Sequence, residues 1–443
     1  MIEKTLHWTA AGCLMLGLAG NVWAQGSRTA SSNVPVVASG QLPSSTPTSN
    51  AELANTYTLG LTAGTHFDDN AVVNAHPRQW DLGYVLFPSV EFTEIRPRLD
   101  WSVRYAPGVD ISQNLLYKDH LSQQLNAHFA WMVSPHGLLS AQEYFIVTTD
   151  PFRQLGGTAS PGPTIAPNEG PFIPNLRRTS TLTNALYSYR FTEHSSFGIG
   201  GNFMISKFDN TPKHGPTTTL INSQRSSGEA YFNHQFSQRE ALGVQYGIQV
   251  LRFPRFDART TSHTILIFDQ LTISPRSTFT IYGGPEYADT FNQVVLNLGL
   301  FVLTIPVKSQ QWSGAGGVLY NWTGDRLGLT LDFKRGVSDG GGLVGAVELN
   351  SGQANISWRL SRRWTLESTL GGSSSVLLAT QTNQGLLTYS ERVQLSQLIT
   401  HNLSMHWFYG RLNQTGGFGT FPVANHDFAG ASLTYSVQRP IGR

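Results

Sequence analysis

From Asn55 onward, apolar and polar residues alternate with a period of two rather than 3.6. Leu99, Trp101, Val103 and Tyr105 share one face of a segment whose other face carries Arg98, Asp100 and Arg104. Leu242, Val244, Tyr246, Ile248 and Val250 alternate with Gly243, Gln245, Gly247 and Gln249. Leu327, Leu329, Leu331 and Phe333 are offset from Asp332 and Lys334, and Ala354, Ile356, Trp358 and Leu360 from Asn355 and Arg359. Around Leu182 and Glu229 the alternation is weaker. The pattern predicts half-buried β-strands over most of the chain.

The punctuation between these strands is of two kinds. Tight polar turns recur at 94–97, 134–137, 192–195, 237–240, 274–277, 323–326, 361–363 and 400–402. Pro fixes φ in several of them, and Gly or Asn tolerates positive φ in others. Longer connections rich in Gly, Pro and Asn lie between them, at 70–79, 106–118, 150–177, 209–224, 253–258, 288–308, 337–342, 375–385 and 412–423. Eight short and nine long connections join 18 strands. Strict alternation of short and long connections is the mark of an all-β, transmembrane, antiparallel up-and-down β-barrel of about 18 strands, with 16 as the alternative. Short turns then face the periplasm and long loops the outside. A soluble β-propeller needs four strands per period and a repeated motif, whereas two strands and no motif are present.

Composition sharpens this picture. Charged residues are 13% of 443, about half the share in soluble domains, and aromatics are 11%. No run of about 18 apolar residues follows the N-terminus, so helical membrane spans are excluded. Lys4, the apolar stretch 10–20 and Val22-Trp23-Ala24 read as a signal peptide over residues 1–24, cleaved before Gln25. Residues 25–54, rich in Ser, Thr and Pro, are expected to be a disordered periplasmic lead-in, with the barrel occupying 55–443. Cys13, the sole cysteine, falls within the signal and too early in its apolar core for a lipoprotein site. The mature chain then has no thiol chemistry. A net charge of +2 without a basic block gives no footprint for nucleic acid.

Candidate functional residues follow from the strand phase. Arg98, Asp100, Arg104, Gln124, Asn126, His128, Gln245, Gln249, Asp332, Lys334, Asn355, Arg359, Glu367, Arg392 and Gln394 are expected to face the lumen. There they either line a pore, where charge sets ion preference, or brace the wall by cross-strand pairing. Trp131, Phe191, Phe236, Trp322, Trp358 and Trp364 lie beside tight turns, as an aromatic girdle at the periplasmic headgroups requires. The apolar segment 294–303, with Val294, Leu296, Leu298, Leu300 and Phe301, either folds inward as a constriction, extends the eleventh strand, or packs between loops.

Enzymatic chemistry is not indicated. There is no HExxH and no Gly-rich phosphate loop, and no cofactor or metal is expected. Asp68-Asp69-Asn70 offers hard-cation ligands, though such a triplet is more often a polar turn. Ser404 and His406 are the one Ser–His proximity of note.

The segment Phe67-Asp68-Asp69-Asn70, the run Arg96-Pro97-Arg98 leading to Tyr105, and Leu433-Thr434-Tyr435-Ser436-Val437 followed by Arg439-Pro440-Ile441-Gly442-Arg443 resemble the bacterial family called β-barrel porin 2 and acidobacterial outer-membrane barrels. The resemblance spans about Asn55 to Arg443 and implies an outer-membrane barrel without catalytic residues, of a kind often found near exopolysaccharide systems. Such barrels often end in an aromatic residue; here Tyr435 and Val437 would serve within the last strand.

The function expected is a channel passing small polar solutes or exporting a polysaccharide. A structural or adhesive barrel acting through its outer loops is the alternative. No plug-sized segment precedes Asn55, and about 18 strands enclose a lumen too wide for wall side chains alone, which favours the channel. The expected partners are outer-membrane lipid and lipopolysaccharide, the barrel-assembly machinery, periplasmic chaperones and the transported solute, with no nucleic acid.

Overall fold

A computed structural model describes residues 54–71, 78–114, 120–149, 177–209, 220–297, 302–342, 345–378, 385–415 and 424–441. They form β1 (Ala54–Asp68), β2 (Asp81–Arg96), β3 (Leu99–Ser112), β4 (His120–Ser134), β5 (Gly137–Thr148) and β6 (Arg178–Arg190). Next come β7 (Ser195–Phe208), β8 (Ser223–Ser237), β9 (Glu240–Phe253), β10 (Ala258–Ser274), β11 (Ser277–Asn297) and β12 (Val302–Thr323). The last six are β13 (Leu327–Ser338), β14 (Val347–Arg359), β15 (Trp364–Leu377), β16 (Gly385–Thr400), β17 (Leu403–Thr415) and β18 (Ala424–Pro440).

Every strand pairs antiparallel with its sequence neighbours, and β1 pairs with β18 from Thr56↔Pro440 to Asp68↔Phe428. The sheet is therefore a closed barrel of 18 strands. Closure gives β1 and β18 the partners that an open sheet would leave to solvent or lipid. All eight tight turns are present and cluster at one rim, each joining strands through two to four residues.

Side-chain phase is continuous around the ring because cross-strand partners share a face. Leu59 (52% exposed), Ile199 (59%), Ile267 (61%) and Leu387 (56%) stand on the outer face, in ladders with Val90, Ala230, Val244 and Thr415. A face this apolar over a closed wall suits lipid rather than water. In the rows next to the short turns, Trp131, Phe236 and Trp358 are exposed on that face. Trp364 stacks on Trp407 at 5.7 Å and 12°, and Phe191 on Phe232 at 6.0 Å.

Two sequence expectations change. The long loop at 288–308 is mostly strand: β11 and β12 form a tall hairpin whose ladder runs up to Asn297↔Val302. Val294 and Leu296 stand in that ladder opposite Ile305 and Leu303, so their backbone is wall rather than a segment folded across the pore. Leu298, Leu300 and Phe301 lie outside the described residues, as do the signal and nearly all of the lead-in. Apolar residues in an extended run pair with each other more readily than they form a free loop.

Candidate functional site

The interior has two unlike halves. Near the short turns, inward residues such as Asp100, Ser102, Asn126 and His128 are only partly buried. Toward the opposite rim they are closed off from solvent: His66, Asp68, Tyr144, Leu251, Glu286, Val347, Leu412 and Gln414 are all buried. Large side chains account for much of this. Tyr144, Ile146, Leu182 and Met204 form one inner cluster across β5–β7. Leu266, Phe268, Tyr282 and Leu319 form another across β10–β12, with Tyr231 and Ala315 against it, but this one sits nearer the short turns, Phe268 lying opposite Gly243 near the start of β9.

A loop closes more of the same end. β12 and β13 pair only from Thr323↔Gly328 to Gly316↔Arg335, so the tip of β13 parts from β12 and leans inward while staying paired with β14 up to Ser338↔Val347. There the Val337 N–H donates to the Glu286 carboxylate of β11 at 3.1 Å, and Gln249 Nε2 of β9 donates to the Val337 carbonyl at 3.2 Å. Asp339, Gly340, Gly341 and Gly342 follow, with φ of 65°, 61° and 117° at the three glycines. These left-handed angles cost a side-chain-bearing residue 1–2 kcal/mol or so and glycine nothing. The turn they make carries the chain to the inner side of β7–β9. Ile221 N–H donates to the Gly342 carbonyl at 2.9 Å, and Ser223 Oγ donates to the Asp339 carboxylate. Ala346 completes a core with Ile221, Leu251, Phe253 and Ala258. Burying these apolar groups holds the loop inward.

The expected lumen residues now have positions. Asp100, Arg104, Gln124, Asn126, His128, Gln245, Gln249, Asp332, Lys334, Asn355, Arg359, Glu367, Arg392 and Gln394 all fall on the inner parity of their strands. Arg98 does not: it occupies the β2–β3 turn and is exposed, because β3 begins at Leu99. Many of the rest brace one another. Arg104 stands directly across from Glu91, and Gln245 Nε2 donates to Glu229 at 2.7 Å. Gln353 and Thr369 both donate to Asn355 Oδ1. Arg392 interacts electrostatically with Glu367 and covers the Phe408 ring at 5.6 Å. From Arg392 a polar chain runs through Gln394 and Ser396 to His406, whose other nitrogen meets Ser404 at 2.9 Å. That places the Ser404–His406 pair at the end of a polar chain along the inner face that begins at the Arg392 guanidinium.

Sequence phase missed Glu229, Glu286, and the His426 and Asp81 side chains beside the Asp68-Asp69-Asn70 turn. Asp68 is fully buried, its carboxylate 2.9 Å from His426 Nδ1, and with Asp69 these side chains could hold a cation. Asp69 is also ion-paired to Arg78 at 2.6 Å, and Asp68 caps the Asn70 N–H at 3.0 Å, so the triplet is a satisfied polar turn as it stands. Asp81 accepts from Ser112 at the end of β3 and from the Asn114 N–H just beyond it.

No protein-family model matches this chain, and no curated protein matches it. The resemblance to β-barrel porin 2 therefore rests on the short motifs alone. Among solved structures the chain is similar to Acinetobacter baumannii OccAB4, at 9% identity over 88% of this chain and 100% of that one, with a TM-score of 0.42. It is similar to Pseudomonas aeruginosa OccK5 (OpdH) at 10% identity over 87% and 98%, with a TM-score of 0.41. The siderophore receptor PiuA from Acinetobacter baumannii gives 7% identity over 87% and 82%, with a TM-score of 0.46. Likenesses this distant assign no activity; the barrel is established by its own closed ladder of strands.

Proposed function

We propose that this chain is an outer-membrane channel for small polar solutes, with its short turns in the periplasm and its outer mouth narrowed by the β13–β14 loop. One observation carries the reading: a closed, externally apolar barrel whose interior is polar and partly accessible along β3 and β4 near the short turns, and crossed by an inward loop at the other end. An apolar belt places the wall in lipid. A water-accessible polar interior serves solutes rather than lipid, and an inward loop limits their size. Arg104, Arg359, Glu367 and Arg392 would act as lining groups within that interior. Export through a cleaved signal and insertion by the barrel-assembly machinery belong to the same reading.

Purified protein in planar bilayers tests it. Discrete single-channel steps are expected, and deletion of residues 339–346 should raise conductance about twofold or more, since a pore conducts according to its narrowest section. A silent wild type and an equally silent deletion variant would point instead to a filled barrel that serves as a scaffold.

A further inference from the structure

The outer face at the long-loop rim carries charges in two different arrangements. On β13–β14 and β16–β18 they are paired. Glu391 lies opposite Arg411, Arg411 is 3.8 Å from Asp427, Tyr409 donates to Asp427, and Arg335 meets Glu348 at 2.7 Å. Across β8–β12 they are not. One continuous cross-strand row there reads Gln224, Arg252, Arg259, Phe291, Lys308. Arg252 and Arg259 face each other directly, which destabilises a sheet when nothing compensates them. Both are exposed, as is Lys308, and among the described residues none of the three has an ion pair or hydrogen bond. Lys207 of β7 adds an exposed cation beside the row. The acids nearby are few: Asp289, one row below on β11 and unpaired with these cations, and Asp257, which shares the β9–β10 turn with Arg255.

Four residues below the basic row, about 13 Å along the strands, the same face carries His263, Tyr287 and Trp312 in one ladder. Tyr287 and Trp312 are 5.0 Å apart, Trp312 is 71% exposed, and Tyr246 Oη meets His263 Nδ1 at 2.8 Å. Amphipathic rings of this kind settle where acyl chains give way to headgroups. The uncompensated cations therefore stand at and just above the headgroups of the outer leaflet.

We infer that Arg252, Arg259 and Lys308 form a binding site for the phosphorylated headgroup of an outer-leaflet glycolipid. The cations span three strand intervals, about 14 Å, enough to engage two phosphates of one headgroup. Guanidinium forks bind phosphate bidentately, and Lys308 contributes a point charge. The bound anion removes the Arg252–Arg259 repulsion that the protein leaves in place. This inference rests on the outer-membrane reading above, and its test separates the two.

Full-length protein in neutral detergent is incubated with bis-phosphorylated lipid A, and bound lipid is counted by native mass spectrometry. Wild type is expected to retain the lipid, and the triple variant R252Q/R259Q/K308Q to bind at least about tenfold more weakly, as loss of three surface cations near anionic headgroups implies. R362Q/R363Q, at the opposite rim, should bind like wild type. Equal retention by the triple variant overturns the site. Displacement of the lipid by millimolar inorganic phosphate overturns a lipid as its occupant. Insertion into liposomes is followed separately by protease protection: a wild type that does not insert defeats the membrane reading, whatever the lipid counts.

Discussion

Gly83 has an imidazole where a side chain would be. A Cβ built there collides with the His66 ring, which lies flat across β2 and reaches within 3.9 Å of Asp110 on β3. Gly410 and Gly430 do the same for Phe428 and Phe408, each ring covering the glycine on its neighbour's strand. By strand propensity alone, Gly83→Val should stabilise β2. We predict the opposite, a loss of about 1–3 kcal/mol from displaced packing, read as a lower urea midpoint of the folded barrel. A raised midpoint would show that the His66 contact has no structural weight. At this scale the sequence was only half legible. Period-two phase put Asp100, Gln245 and Arg392 on the inner face, but phase names a face and not a neighbour. The contact of His66 with Asp110 depends on the β1–β2–β3 register, and that is absent from any one strand. Glu229 was missed because polar residues occupy both faces of β8.

Loops and hairpins show where reading by element succeeds and where it stops. The eight tight turns were recognisable because their chemistry is local: Pro, Gly or Asn shapes five of them, and in the others the Thr192, Ser237 and Ser361 hydroxyls accept from the N–H two residues on. The Asp339–Gly342 loop was just as visible as a glycine cluster, but glycine permits left-handed backbone without fixing which way the loop leans. Its direction comes from partners distant in sequence, Ile221, Ser223, Gln249 and Glu286. The segment 294–303 left its alternatives open, since its apolar character serves equally for a constriction and for the paired hairpin that β11 and β12 form. Gly342→Val tests the loop by itself. At φ 117°, with Phe208 and Leu220 about the position, valine is both strained and crowded. We predict a mouth held more open, with conductance shifted toward that of the 339–346 deletion while the folded barrel keeps its compact migration on unheated gels. Wild-type conductance in a folded variant would show that the loop does not control the passage.

For the whole molecule, counting turns was sufficient to give strand number and closure, because an antiparallel ring is assembled from hairpins already next to one another in sequence. The exception is β1 with β18, the single pairing that joins distant parts of the chain. Removing β18 by ending the chain after Thr415 should leave β1 and β17 each with an unpaired edge, so that no compact, heat-modifiable form and no bilayer insertion are obtained. Insertion by the truncated chain would mean that the barrel closes on fewer strands. What counting turns could not convey was the filling of the ring. Width alone argued for an open lumen, yet aromatic and aliphatic side chains fill part of it at two levels, on β5–β7 near the long loops and on β10–β12 nearer the short turns.

The inward tip of β13 has a geometric consequence. Its contacts with β9 lie on a chord, which divides a circular mouth into two unequal windows. The smaller, bounded by β9 to β13, is the one stoppered by Glu286, Gln249 and the glycine turn. The larger is bounded by all the remaining strands. Displacing the chord would merge the two windows into one, so an increase in conductance would come as a jump to a second fixed value rather than as a graded widening.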